Sequence, residues 1–108
     1  MSDLPYTIED IRSLYSQNKI VWKDHATERM LQREILRTEV KQCMMSGEII
    51  EVYLSDKPYP SCLILGYTSK NRPLHVVCST EYSHIYIITV YEPTLKKWEA
   101  DFKTRKDV

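Results

Sequence analysis

The stretch Pro60–Pro93, PSCLILGYTSKNRPLHVVCSTEYSHIYIITVYEP, holds three strand-like runs, two short turns and the densest apolar content of the chain. Read with a period of two, Cys62, Ile64 and Gly66 alternate with Leu63, Leu65 and Tyr67, and Leu74, Val76 and Cys78 alternate with His75, Val77 and Ser79. In the third run Tyr86, Ile88 and Val90 alternate with Ile85, Ile87, Thr89 and Tyr91. Lys70-Asn71-Arg72 before Pro73, and Glu81-Tyr82-Ser83, break the runs. Turns this short make antiparallel neighbours. Loops at 70–72 and 81–83 set Tyr67 opposite His75 and His75 opposite Thr89. One face, with Ile64, Val76, Cys78, Tyr86, Ile88 and Val90, then suits burial under helices. The other, with Leu63, Leu65, Val77, Ile85 and Ile87, is apolar at one end and carries Tyr67, His75, Thr89 and Tyr91 at the other.

Outward from this core, Thr7 with Asp10 three residues on opens a helix over 8–16, whose Ile8, Ile11, Leu14 and Tyr15 lie at helical spacing. Ile20-Val21-Trp22 reads as a brief apolar connection, and Asp24 as the cap of a second helix over 24–32. Val40, Cys43 and Met44 mark a third over 37–46, closed by Gly47 as a residue tolerant of left-handed geometry. Strands follow near 48–54, 61–69, 73–80 and 84–91. The expected architecture is a single α+β domain over 1–108, with three N-terminal helices packed on a four-stranded antiparallel sheet in meander order. Trp98 and Phe102 would share an apolar edge if 96–105 were helical, and the tail is then the nearest cover for the far face. A tail that projects instead leaves that face to a homodimer or another protein.

Fifteen basic and fifteen acidic side chains give no net charge, so composition makes no global case for nucleic acid or an anionic membrane. Cys43, Cys62 and Cys78 form an odd set without a CxxC pair and read as buried, reduced thiols. The start, MSDLPYTIED, has no apolar signal core, and no run approaches the roughly 18 to 20 residues that span a bilayer, so a cytoplasmic location is expected. With glycine only at 47 and 66 there is no P-loop or GxGxxG, and no HExxH occurs. His25, His75 and Cys78 are zinc-ligand types, but alternation points Cys78 away from His75, so neither a metal site nor any cofactor is expected.

The strongest chemical signal is in the second helix, where His25, Arg29 and Arg33 stack at i, i+4 and i+8. At about 100° per residue, Arg29 falls roughly 60° from the inward-facing Ala26. The column then follows the seam between helix and sheet. A guanidinium there needs either a carboxylate partner, with Glu48, Asp56 and Glu92 as candidates, or a bound phosphate suited to its bidentate geometry.

Trp22-x-x-His25-Ala26-x-x-Arg29-Met30-x-x-Arg33, Gly47-Glu48-Ile49-Ile50-Glu51-x-Tyr53, Pro58-Tyr59-Pro60-Ser61, Leu63-x-Leu65-Gly66, Pro73-Leu74-His75-Val76-Val77 and Thr89-Val90-Tyr91-Glu92-Pro93 together resemble the domain-of-unknown-function family 4258, over about residues 20–105. Such proteins are similar to the small RelE, BrnT and MqsR-like toxins. That likeness implies helices against an antiparallel sheet, metal-independent RNA cleavage, and a neighbouring antitoxin of zinc-finger or helix-turn-helix character. Cleavage by the ribose 2′-hydroxyl needs a proton acceptor, cations for the phosphate and a donor to the leaving oxygen. The expected site is His25, Arg29, Arg33, His75 and Tyr91. His25 or His75 would exchange protons, Arg29 and Arg33 would hold the phosphate, and Tyr91 would donate or stack on a base. The alternative is a non-catalytic interaction module of the same fold.

Overall fold

A computed structural model describes residues 3–81 and 83–107. The chain is α+β, three helices against a five-stranded mixed sheet. In order these are α1 (Ile8–Ser16), β1 (Ile20–Trp22), α2 (Asp24–Gln32), α3 (Arg37–Ser46), β2 (Glu48–Tyr53), β3 (Ser61–Tyr67), β4 (Pro73–Thr80) and β5 (Ile85–Tyr91). The spatial strand order is β1-β5-β4-β3-β2. The last four strands form the expected antiparallel meander.

The expected four-stranded antiparallel sheet lacks a strand. Ile20-Val21-Trp22 is β1, paired parallel to β5 through Ile20–Ile85 and Trp22–Ile87, so the helices do not all precede the sheet. A three-residue strand has too little alternation to be read from sequence, and a neighbouring ladder creates it. The ladder continues through Lys23, whose N–H donates to Ile87 O at 3.3 Å while its own carbonyl accepts from Thr27. Lys23 is therefore the N-cap of α2, and Asp24 is its first residue rather than the cap.

Capping accounts for the helix ends. The Thr7 hydroxyl accepts from Asp10 N–H, and Asp10 Oδ2 accepts from Thr7 N–H, closing a capping box. Asn18 and Glu34 take positive φ, 59° and 55°, just past α1 and α2. Lys19 N–H reaches Leu14 O and Ile35 N–H reaches Met30 O, as a Schellman motif requires. Gly47 is extended, φ −82°, so left-handed geometry is not its role. Instead a Cβ there would lie 2.6 Å from Leu65 O, and one on Gly66 would lie 2.5 Å from Cys43 Cα. Both glycines allow α3 to press onto β3. Arg12 of α1 replaces a conventional cap for α3, donating to Met44 O and Gly47 O.

The helices cover one sheet face. Ile11, Ala26, Met30, Val40, Cys43 and Met44 pack on Cys62, Ile64, Leu74, Val76, Cys78, Ile85, Ile87 and Val90, all buried. Each fully buried aliphatic side chain here contributes about 1.5–3 kcal/mol. Ile85 and Ile87 thus lie under the helices, whereas Tyr86 and Ile88 face away, the reverse of the expected alternation. The cause is a β-bulge: Cys78 pairs with Ile87 and Val77 with Thr89, leaving Ile88 as an extra residue that switches faces within β5. His75 pairs with Leu65 and Tyr91, not with Tyr67 and Thr89. Tyr82, in the expected turn, lies outside the described residues.

The end of the far face around His75 is covered by the segment after β5, which is not a helix. Trp98 bridges Arg105 in antiparallel fashion, Lys106 N–H reaches Lys97 O, and Asp101 Oδ1 accepts from the N–H groups of Lys103 and Thr104. This strap buries Trp98 against the sheet, where Leu63, Leu65 and His75 are also buried. Arg105 makes a bidentate pair with Glu51, and Lys103 pairs with Glu48. The tail thus folds back on the sheet rather than projecting, and it covers the apolar positions Leu63 and Leu65. All three cysteines are buried free thiols, and Cys78 lies on the helix side, opposite His75. Among the described residues no helix is long and apolar enough to cross a membrane.

Candidate functional site

The strap, the C-terminal end of β5 and the end of α2 enclose a cleft of about 650 Å³, lined by Arg33, Arg72, Tyr91, Glu92, Thr94, Lys97, Trp98 and Arg105. Four cations and one carboxylate meet there. The chain's neutral total conceals this local excess.

The cations differ in how far they are engaged. Arg72 donates from Nε to Glu92 at 2.6 Å, from Nη1 to Glu39 at 3.4 Å and to the Glu34 carbonyl, and from Nη2 to the Arg33 carbonyl at the end of α2. It staples α2 and α3 to the sheet. Arg105 is held by Glu51 at 2.8 and 3.0 Å and lies over the Trp98 ring at 4.6 Å. The Arg105 hydrogen bond in turn holds the Glu51 carboxyl below its usual range. Arg33 is freer. One nitrogen donates to Val90 O at 2.8 Å, and the rest of its fork has no partner among the described residues. Lys97 is exposed and forms no ion pair among those residues.

Tyr91 lines the cleft, and His75, fully buried, lies directly behind it. Its Nε2 is 2.8 Å from Phe102 O and its Nδ1 is 3.1 Å from the Tyr91 hydroxyl. A carbonyl only accepts, so Nε2 carries the hydrogen, Nδ1 accepts, and Tyr91 donates to it. Burial lowers the pKa of His75 against the opposing pull of the Phe102 carbonyl. Burial likewise raises that of Tyr91, while Arg105 and Arg33 act in the other direction. The resting pair is a neutral imidazole and a protonated phenol. The Trp98 ring packs edge-on against His75 at 4.5 Å. Phe102 adopts φ 58°, a left-handed conformation costing about 1–2 kcal/mol for a non-glycine residue. In that conformation its carbonyl meets the imidazole.

Three of the five expected site residues therefore come together: Arg33, Tyr91 and, through Tyr91, His75. They join although they belong to opposite sheet faces, because Arg33 reaches over the end of β5 to Val90 O. His25 and Arg29 are exposed and do not line the cleft. Among the described residues Arg29 has no carboxylate partner; Glu48 pairs with Lys103, and Glu92 with Arg72. The column does not lie in a seam, because α2 is short and turns its Ala26 and Met30 stripe squarely to the core. Arg72, Lys97 and Arg105 escape a periodicity search, since they sit in a turn and an irregular strap. For Lys97 and Arg105 the sequence signal is only the basic excess after Pro93, and Arg72 has none.

A family model, Domain of unknown function (DUF4258), matches residues 22–92, about two thirds of the chain. No curated protein and no solved structure matches it. The matched segment contains Arg33, Arg72, His75, Tyr91 and Glu92 but ends before the strap, so Lys97, Trp98 and Arg105 complete the cleft from outside it. Over residues 22–92, from the last residue of β1 to just past β5, the chain belongs to the domain-of-unknown-function family DUF4258.

Proposed function

We propose that the cleft binds the phosphodiester backbone of RNA and that the protein is a metal-independent endoribonuclease, the toxin of a toxin–antitoxin pair with a RelE-like fold. What supports this reading is the hydrogen bond between Tyr91 and His75 beside a cleft lined by four cations, a pair able to pass a proton. The free donors of Arg33 and the Lys97 ammonium hold the phosphate. As the 2′-oxygen attacks phosphorus, its proton passes to the Tyr91 oxygen and the phenolic proton passes to Nδ1 of His75. The Phe102 carbonyl and the nearby Glu51 carboxylate support the imidazolium so formed. Return of that proton through the same pair to the departing 5′-oxygen leaves a 2′,3′-cyclic phosphate and a 5′-hydroxyl. The toxin assignment, and with it a zinc-finger or helix-turn-helix antitoxin as partner, rests on the resemblance of the motifs to RelE, BrnT and MqsR-like proteins.

One observation favours a second reading. Arg72 and Arg105 are already neutralised by Glu92, Glu39 and Glu51, which leaves them little charge for an RNA phosphate and suits a non-catalytic protein-interaction module of the same fold. The deciding experiment follows RNA integrity and product ends with EDTA present, for the parent, Tyr91→Phe and the Arg33→Ala/Lys97→Ala double variant. Cleavage by the parent to cyclic phosphate ends, lost in both variants, supports the ribonuclease. RNA binding without cleavage moves the protein to the module reading, and no binding of RNA overturns the proposal.

A further inference from the structure

A second cavity, of about 630 Å³, opens on the far sheet face at the other end of β5, lined by Lys23, Asp56, Tyr59, Ser79, Tyr86 and Ile88 among others. Asp56 brings one carboxylate to the lining, where it accepts from Ser61, and a second, Glu81, ties the two phenols together. Glu81 accepts from Tyr59 at 2.8 Å, from Tyr86 at 2.5 Å and from the Ser83 hydroxyl. Those three donors hold its carboxyl down to about 2, so it remains an acceptor throughout the neutral range. With both phenols tied to one group, the rings stand nearly parallel, 18° between planes and 6.1 Å between centroids. Lys23 Nζ lies 5.7 Å from the Tyr86 centroid, and Lys57 stands at the rim. Little of this serves the core, since Tyr59 and Tyr86 are only half-buried and the helices pack on the opposite face.

Position ties this cavity to the cleft. Tyr86 pairs with Ser79 and Tyr91 with His75, so both tyrosines face away from the helices. They are five residues apart on β5, about 16 Å at 3.3 Å per residue. The bulge at Ile88 is what puts them on one face. Without it, an odd separation would send Tyr86 under the helices.

We propose that the Tyr59–Tyr86 pair is a stacking platform for an unpaired nucleobase of single-stranded RNA whose backbone continues along β5 to the cationic cleft. The inference rests on the RNA-binding reading of that cleft and extends it to a second subsite. Rigid aromatic faces beside lysines are the arrangement that binds single strands without strong sequence preference, because every base offers a π-face. Glu81 disfavours phosphate at the ring edges and Asp56 at its own wall, so the backbone runs past the Lys23 and Lys57 ammonium groups. A duplex, whose bases are already stacked, gains nothing from the platform.

Binding of a short oligouridylate and of inorganic polyphosphate is measured for the parent, Tyr59→Leu, Tyr86→Leu and Arg33→Ala, with the fold of each variant checked by circular dichroism. The expected result is about a tenfold loss of oligouridylate affinity in each tyrosine variant, with polyphosphate binding unchanged. Arg33→Ala should weaken both ligands. Tyrosine variants that bind like the parent while Arg33→Ala fails would overturn the platform and leave the cleft reading standing. Loss in the tyrosine variants alone would support the platform and overturn the cleft. A parent that ignores the oligonucleotide but binds a proline-rich peptide on these rings would overturn the inference in favour of a protein partner. A parent that binds neither would overturn it outright.

Discussion

The hydroxyl of Tyr91 donates to Nδ1 of His75 across 3.1 Å, and this bond joins the cleft to the interior of the sheet. His75 has no exposed surface, so any proton it exchanges with a ligand passes through Tyr91. Tyr91→Phe keeps the ring and deletes that path. The variant should lose RNA cleavage by a factor on the order of 100 or more, the usual range for a general acid–base group. It should also lose about 1–3 kcal/mol of stability, because Nδ1 is left buried without a donor. Urea denaturation beside a cleavage assay separates the effects: unchanged cleavage would remove Tyr91 from the chemistry.

Stability should fall as pH drops below about 6.5. Burial holds folded His75 below the ordinary imidazole value near 6.5, so in that window the unfolded chain binds a proton that the folded chain does not. Stability from this group is present above the unfolded value and is lost as pH falls towards the folded one. Glu51 and Arg105, the charged groups nearest it, act in opposite directions and leave burial dominant. Denaturation midpoints from about pH 7.5 to about pH 5.5 test this. A parent whose slope matches that of His75→Gln would contradict the assignment.

The strap should be a structural necessity. Trp98 is buried against His75 and Arg105 lies over its ring, so Trp98→Ala removes the centre of the cover and should cost about 3–5 kcal/mol. Arg105→Ala breaks a largely exposed pair and should cost less. Uncovering Leu63 and Leu65 should also make Trp98→Ala associate at raised concentration, measurable by sedimentation. A monomeric variant as stable as the parent would show that the strap contributes nothing to the fold.

The helices are legible in the sequence because each has a local mark: the Thr7–Asp10 box, the Ala26–Met30 stripe, and the Val40, Cys43 and Met44 spacing before Gly47. The meander is legible because short turns leave few alternatives. The face of Ile85 and Ile87 is not, because the bulge at Ile88 is set by pairing with β4 and leaves no mark in β5 itself. The parallel β1 and the strap are hidden for the same reason, since long-range contacts define them rather than periodicity. The residue types of the candidate site can be read in advance. Its membership cannot, because Arg33 and Tyr91 meet only where α2, β5 and the strap end together.

Glu34 offers a stabilising substitution. It holds φ 55° at the end of α2, and its backbone carbonyl is the part that Arg72 uses. Glu34→Gly keeps that carbonyl and removes the Cβ penalty, so stability should rise by up to about 1 kcal/mol. An unfolding midpoint equal to or below the parent's would mean that the extra flexibility of glycine in the unfolded chain outweighs the relief.

Arg29 and Arg33 are one turn apart on α2, yet the structure separates them. Arg29 is exposed and has no ion pair among the described residues, so Arg29→Ala should leave stability within about 0.5 kcal/mol of the parent. The buried-pair interpretation of this residue, which demands a loss of about 3–5 kcal/mol, has no geometric support. Arg33 faces the cleft with most of its donors free. If it holds one phosphate of a single strand, Arg33→Ala should reduce the slope of log K against log salt by about 0.7, the counterion release expected for one contact. Arg29→Ala should leave that slope unchanged. Titrations of RNA at several salt concentrations give both values. Equal slope losses in the two variants would move the phosphate track out of the cleft and along the exposed face of α2, returning His25 to the site as its next residue.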